Sequence, residues 1–128
     1  MPSAVFDASA LIALLAGEPG AEKVAHYIGD GMISAVNVQE VVKALLRRGA
    51  SLDAAEAMLD ALHLDVRPHD RQDAFSAAAL VEVTKHFGAG IGDRSCMALA
   101  ITHTLPAITM DKEWAHIDAP GLTVIVAR

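Results

Sequence analysis

Cysteine, aromatic residues and basic charge are all scarce in this 128-residue chain. Its one cysteine, Cys96, can form no internal disulfide, which excludes a disulfide-stapled or Cys-rich metal scaffold and suits a reducing compartment, the cytoplasm by default. Aromatic residues make up only 4%, so the core is expected to be built from closely packed small aliphatic layers. Ten Lys and Arg stand against sixteen Asp and Glu, a net charge of −6, so the totals do not suggest a broad electrostatic grip on nucleic acid, and any such contact must be local or metal-assisted. The longest apolar stretch, Ala8 to Ala16, is too short to span a bilayer and has no Lys or Arg before it, so neither a membrane helix nor a secretory signal is expected. What the chain does have is apolar content. Hydrophobic residues make up 53% and charged residues 20%, which rules out disorder, and the length points to one domain spanning residues 1–128.

Patterning places strands and helices in alternation. Ala4 to Phe6 reads as a short buried strand, Asp7 to Ser9 as a turn, and the following helix carries Leu11, Ile12, Leu14 and Leu15 before Gly17 and Pro19 end it. A second helix over Ala21 to Ile28 closes at Gly29-Asp30-Gly31, and Met32 to Ser34 reads as the second strand. Val38, Val41, Val42, Leu45 and Leu46 then repeat at i, i+3, i+4, i+7 and i+8, the stripe of a helix packed on one face. Ser51 is a candidate N-cap for a helix carrying Leu52, Ala55, Met58, Leu59 and Leu62, and Leu64 to Val66 is a third strand. Asp70 to Phe87 reads as one long alanine-rich helix. The segment Gly88 to Gly92 breaks it before Asp93 opens another helix, which runs to about Thr104. Ala107 to Thr109 is a strand, Asp111 to His116 a short helix and Leu122 to Val126 a closing strand. This order predicts an α/β sandwich around a mostly parallel sheet of about five strands.

Three acids occupy equivalent places in that layout. Asp7 follows the first strand, Glu40 opens the helix after the second, and Asp111 follows the strand at Ala107 to Thr109. In a parallel sheet with helical crossovers all such junctions lie along the carboxyl edge, where ligands bind, so sequence-distant acids can converge. Asp93 lies four residues before Met97 on the inward stripe of Met97, Ala100, Ile101 and Thr104, and is either an N-cap or a group over a shared pocket. Each acid also has a bland reading. Asp7, Asp93 and Asp111 could simply cap helices, Asn37 with Glu40 matches a capping box, and Glu40 lies opposite the apolar stripe, facing solvent. Several carboxylates converging without a counterion would repel, and the usual remedy is a divalent cation held by oxygen ligands, most often Mg²⁺ or Mn²⁺. Such a site suits in-line hydrolysis of a phosphodiester. Competing nucleophile systems are poorly supported: there is no GxSxG elbow and no Gly-rich phosphate loop, and Cys96 lies mid-helix among apolar neighbours. The six histidines show no i, i+4 pair and no zinc spacing.

The segments FDASALIALL around Asp7, ISAVNVQEV around Glu40, GIGDRSCMALA around Asp93 and AITMDKEW around Asp111 together resemble the four motifs of the PIN domain, specifically of VapC-type toxin ribonucleases. The resemblance spans nearly the whole chain. It implies a PIN-like three-layer α/β/α sandwich and an Mg²⁺- or Mn²⁺-dependent endoribonuclease in which Asp7, Glu40, Asp93 and Asp111 form the acidic metal site. Ser9 and Thr109 would be polar neighbours that orient carboxylates or water, and Asn37 would position Glu40 or touch substrate. Cys96 departs from relatives that carry a further acid in that turn. The resemblance also implies an RNA substrate, a cognate VapB-type antitoxin and a homodimer, with no membrane association. Positive charge is available at Lys43, Arg47 and Arg48; Arg94 and Lys112, which flank the proposed site, are the expected phosphate contacts. Two alternatives stand beside this reading: a catalytically silent PIN-like RNA-binding module, and a receiver-like phosphoacceptor domain of flavodoxin-like topology. The second is disfavoured because Asp7 has no acidic neighbour and no Lys ends a suitable late strand.

Overall fold

The structure, a computed structural model, describes residues 2–128. Five parallel strands form its sheet: β1 (Ala4–Phe6), β2 (Gly31–Ser34), β3 (Asp65–Arg67), β4 (Ala107–Thr109) and β5 (Val124–Val126), in the order β3-β2-β1-β4-β5. Seven helices connect them: α1 (Ala8–Ala16), α2 (Ala21–Tyr27), α3 (Ala35–Arg47), α4 (Leu52–Asp60), α5 (Arg71–Ala78), α6 (Val81–Thr84) and α7 (Ile91–His103), with 3₁₀ turns at Ile28–Asp30 and Lys112–His116. This strand order differs from the flavodoxin-like 2-1-3-4-5 arrangement, so the receiver-like alternative falls on topology.

Central β1 shows how three layers arise from three residues. Successive side chains on a strand point to opposite faces. Ala4 and Phe6 enter one apolar cluster with Leu11 of α1, Val24 of α2 and Val41 and Leu45 of α3. Val5 enters the other, with Met32 of β2, Cys96, Met97 and Ala100 of α7, and Trp114. All three β1 residues are wholly buried, as expected of a parallel strand covered on both faces. Trp114 and Phe6 are the largest fully buried side chains, so the two clusters are small aliphatic layers with few aromatic anchors.

Most boundaries follow the sequence pattern. Gly17 takes φ 67° at the end of α1, a left-handed cap that glycine adopts without a Cβ penalty, and the Ser51 hydroxyl accepts the Ala54 N–H at 3.0 Å to start α4. Several expected boundaries are corrected, among them the start of β5, which lies at Val124 and not Leu122. The long helix over Asp70 to Phe87 is instead α5 and α6 separated by a turn. Leu80 sits at φ −85°, ψ 0°, and the Thr84 hydroxyl bonds back to its carbonyl at 2.7 Å. The β-branched Val81, Val83 and Thr84 weaken helix propensity there, and the break lets Leu80 and Val83 pack on the second cluster. Strand β3 runs one residue later than expected because it is an edge strand with little apolar signal, and Pro68, which has no N–H, stops it after Arg67. Finally, α3 begins at Ala35 with Ser34 as its N-cap, so Asn37 lies inside the helix and is not a capping residue.

Candidate active site

Asp7 ends β1 and caps α1. Its Oδ1 accepts the Ala10 N–H at 2.9 Å, and the residue is only 3% exposed. The Ser9 hydroxyl donates to the same carboxylate, 2.8 Å from Oδ1 and 2.9 Å from Oδ2, and the Thr109 hydroxyl at the end of β4 donates to Oδ2 at 2.5 Å. Both hydroxyls are held in turn by backbone. Ser9 Oγ accepts the Met110 N–H and Thr109 Oγ1 accepts the Asp111 N–H, each at 3.0 Å. The ends of adjacent strands β1 and β4 are thus tied together through one buried carboxylate. Burial pushes that carboxyl from its ordinary value up to about 6; the hydrogen bonds from Thr109, Ala10 and Ser9 oppose the rise, and the charge of Asp93 adds to it.

Asp93 lies in the first turn of α7, which begins at Ile91 and not at Asp93 itself. Its Oδ2 accepts the Gly90 N–H at 3.0 Å. Glycine has no side chain to answer, so this is only the return arm of a capping box. Partial burial raises the Asp93 carboxyl above its usual range, the Gly90 bond and Arg94 pull it down, and the charge of Asp111 pushes it up. Exposed Asp111 caps the 3₁₀ turn after β4, its Oδ1 accepting the Glu113 N–H at 2.9 Å.

Glu40 is exposed on α3, and a neighbour on its own helix fixes its carboxylate. Asn37, 1% exposed, donates from Nδ2 to Glu40 Oε1 at 2.7 Å and to the Gly92 carbonyl at 3.0 Å. Two acceptors on one side set the amide orientation, which leaves the buried Asn37 Oδ1 without a partner. Gly92 makes the approach of α3 to α7 possible: a Cβ there would stand 2.1 Å from Glu40 Oε1. Sequence reasoning read Gly92 only as part of a helix break. The available signal was its place immediately before Asp93. The colliding group is the tip of a movable side chain, so Gly92→Ala is expected to keep the fold, helped by alanine's better helix propensity, while driving the Glu40 carboxylate out of place. Melting temperature should hold within a few degrees and catalytic activity should fall by about tenfold or more. Parallel melting and activity assays check both.

Cys96 lies wholly buried beneath these groups. Burial first, then the charges of Asp7, Asp93 and Glu40, raise its thiol well above the usual value, so it is a packed, protonated thiol and not a nucleophile. The charges of Asp7, Asp93 and Glu40 all reach this one sulfur, Asp93 raises Asp7, and Asp111 raises Asp93, so the four carboxylates share one neighbourhood. Ion pairs among the described residues join Arg48 to Glu18, Arg67 to Asp65 and Lys85 to Glu82; none involves these four acids. Arg94 turns its guanidinium to the Ala89 carbonyl at 2.8 Å.

Oxygen-only donors with no side-chain cation at ion-pair distance suit a hard divalent cation. The elevated Asp7 and Asp93 carboxyls reflect burial first, with the charge of a neighbouring acid adding to each. Among the described residues no three such side chains meet at ligand distance. The reason is local: Asp93 and Asp111 are each turned to a helix start, and Glu40 is drawn to Asn37. Each of these three keeps one carboxylate oxygen free of those bonds.

A five-stranded parallel α/β sandwich with Asp7 and Asp111 just past the ends of its adjacent strands β1 and β4 is the class of protein the fold defines. The PIN-domain family model matches residues 4–120, and the chain belongs to that family. Among solved structures it is similar to a toxin–antitoxin complex from Klebsiella pneumoniae (24% identity, 98% of each chain, TM-score 0.75). It is also similar to DNA-bound VapBC from Salmonella typhimurium (17% identity, 98% of each chain, TM-score 0.72). A third is Mycobacterium tuberculosis VapC20, a sarcin-ricin-loop-cleaving toxin (18% identity, 89% of this chain and 94% of that one, TM-score 0.73). No curated protein matches the chain significantly.

Proposed function

We propose that this chain is an Mg²⁺- or Mn²⁺-dependent endoribonuclease, a VapC-like toxin held in check by a cognate VapB-type antitoxin. The observation that carries this reading is the buried Asp7 carboxylate, held by Ser9 and Thr109 between the ends of β1 and β4 with Asp93 near enough to raise it and no basic side chain at ion-pair distance. Asp7, Asp93, Asp111 and Glu40 would hold the cation. A bound Mg²⁺ or Mn²⁺ would supply Lewis-acid polarisation of the scissile phosphodiester and of the attacking water. The protein's own part is positioning and charge. Ser9 and Thr109 hold Asp7 in one orientation and favour its ionised form, Asn37 and Gly92 set Glu40, and the turned-back N–H of Gly90 fixes Asp93. Water as the nucleophile requires no attack by the ribose 2′-hydroxyl.

The VapBC relatives are toxin–antitoxin assemblies, and a groove of about 440 Å³ supports a similar partner here. Val38, Val42, Leu52 and Leu59 line it, with Glu56 and Asp60 at its rim, which suits an apolar antitoxin segment flanked by basic residues. No helix among the described residues is long and apolar enough to cross a membrane. A direct test is cleavage of single-stranded RNA by the purified chain. Activity is expected with Mg²⁺ or Mn²⁺ and should vanish in EDTA; Asp93→Asn should lose it by about 100-fold or more with the fold intact by circular dichroism. Undiminished cleavage by Asp93→Asn would remove that residue from the site.

A further inference from the structure

Two open grooves meet at Glu40, and Lys43 lines both. One, of about 350 Å³, runs along α3 past Ala8, Ile12 and Ala44 to Arg47 and Arg48. The other, also about 350 Å³, leads past Val36 and Gln39 to Ile91 and Gly92 at the start of α7. The pair shares Glu40 and Lys43 and so reaches the acidic site at Glu40. Glu40, Lys43 and Arg47 stand at i, i+3 and i+7, so they share one face of α3. At about 1.5 Å of rise per residue, Lys43 lies about 4.5 Å and Arg47 about 10.5 Å beyond Glu40 along the helix axis.

All three cations on this ridge are exposed, and they concentrate a good part of the ten Lys and Arg of an acidic protein within one short stretch. Lys43 and Arg47 have no ion-pair partner among the described residues, and Arg48 pairs only with half-exposed Glu18 at 3.6 Å, a contact of little strength. Neither groove is lined by an aromatic ring, so bases have nothing to stack on there and a ligand must be held through its charge.

We infer that Lys43 and Arg47 form the track that carries the phosphates of single-stranded RNA to the acidic site. The choice of RNA as the polyanion rests on the nuclease reading. The track adds to the contacts expected of Arg94 and Lys112, neither of which lines these grooves.

The test is binding of a labelled single-stranded RNA of about 12 nucleotides to the full chain, by fluorescence anisotropy in EDTA, between about 50 and 200 mM salt. Cleavage in Mg²⁺ is scored separately. The double variant Lys43→Gln/Arg47→Gln is expected to flatten the slope of log K against log salt by about 1.4, at about 0.7 per lost phosphate contact, and to raise KM about fivefold or more with kcat nearly unchanged. Lys23→Gln/Lys85→Gln removes equal charge elsewhere and should leave slope and KM as they are. An unchanged slope in the first variant, an equal change in both, or no RNA binding by the wild type at the lowest salt would overturn the track; the first result is also what a ridge reserved for a protein partner would give. RNA binding through the ridge without any cleavage in Mg²⁺ or Mn²⁺ would uphold the track and defeat the nuclease reading, so the two failures are distinguishable.

Discussion

Replacing Asp7 by asparagine is expected to abolish RNA cleavage, by about 100-fold or more, and at the same time to stabilise the cation-free protein. The two effects share one cause. Asp7 is buried, and its carboxyl titrates at about 6 instead of at the ordinary 3.8. The native state therefore binds this proton more tightly than the unfolded chain. Stability rises as pH falls from about 6 towards 3.8, and above about 6 the ionised group costs the fold on the order of 3 kcal/mol. Asparagine stays neutral. Its oxygen can keep the Ala10 N–H, and the Thr109 hydroxyl can reverse to accept from the new amide, so most of the hydrogen bonding survives. A gain of about 1 to 3 kcal/mol, or roughly 3 to 10 °C in melting temperature at neutral pH, should follow. Differential scanning calorimetry of both proteins in EDTA measures it. A lower melting temperature for Asp7→Asn would mean that burial of this carboxylate is not a strain on the fold.

The second large effect is the response to the cation. Saturating Mn²⁺, at about 100 times its dissociation constant, should stabilise the wild type by about 2.7 kcal/mol at pH 7.5. At pH 5 the cation must displace a proton from Asp7, whose carboxyl is then mostly neutral, so apparent affinity should drop by about tenfold or more. Asp93 is raised as well, in the same direction. Thermal-shift titrations at the two pH values test this, and an equal shift at both would separate cation binding from Asp7. The acid limb of the cleavage profile should fall with the same proton.

Much of this site is written locally in the chain. The AVF of β1 and the AIT of β4 are each followed within two residues by an aspartate, and parallel strands bring those ends to one edge, so Asp7 and Asp111 could be placed from the sequence. The Ser9 and Thr109 hydroxyls, three residues past the end of β1 and at the last residue of β4, were legible only through the family resemblance. What local pattern cannot supply is the meeting of α3 with α7. The bond from Asn37 to the Gly92 carbonyl spans 55 positions, and the space that glycine leaves for Glu40 exists only once the two helices have packed. In sequence Asn37 with Glu40 resembles a capping box because the spacing is right; in the fold Ser34 has already taken the cap and the Asn37 side chain turns inward. Proximity in sequence points to Arg94 beside Asp93, while the place of Lys43 in both grooves follows from the helical repeat that sets it next to Glu40. The break between α5 and α6 was hidden for a related reason, since alanine-rich sequence favours helix everywhere and only packing on the second cluster selects where it bends.

The measurement that bears most directly on the whole account is anomalous diffraction at the manganese edge from crystals grown with Mn²⁺. The account predicts one strong peak at the carboxyl edge of the sheet, about 2.0 to 2.3 Å from an oxygen of Asp7 and from oxygens of at least one of Asp93, Asp111 and Glu40. A peak bound elsewhere, or none at saturating Mn²⁺ at pH 7.5, would contradict it.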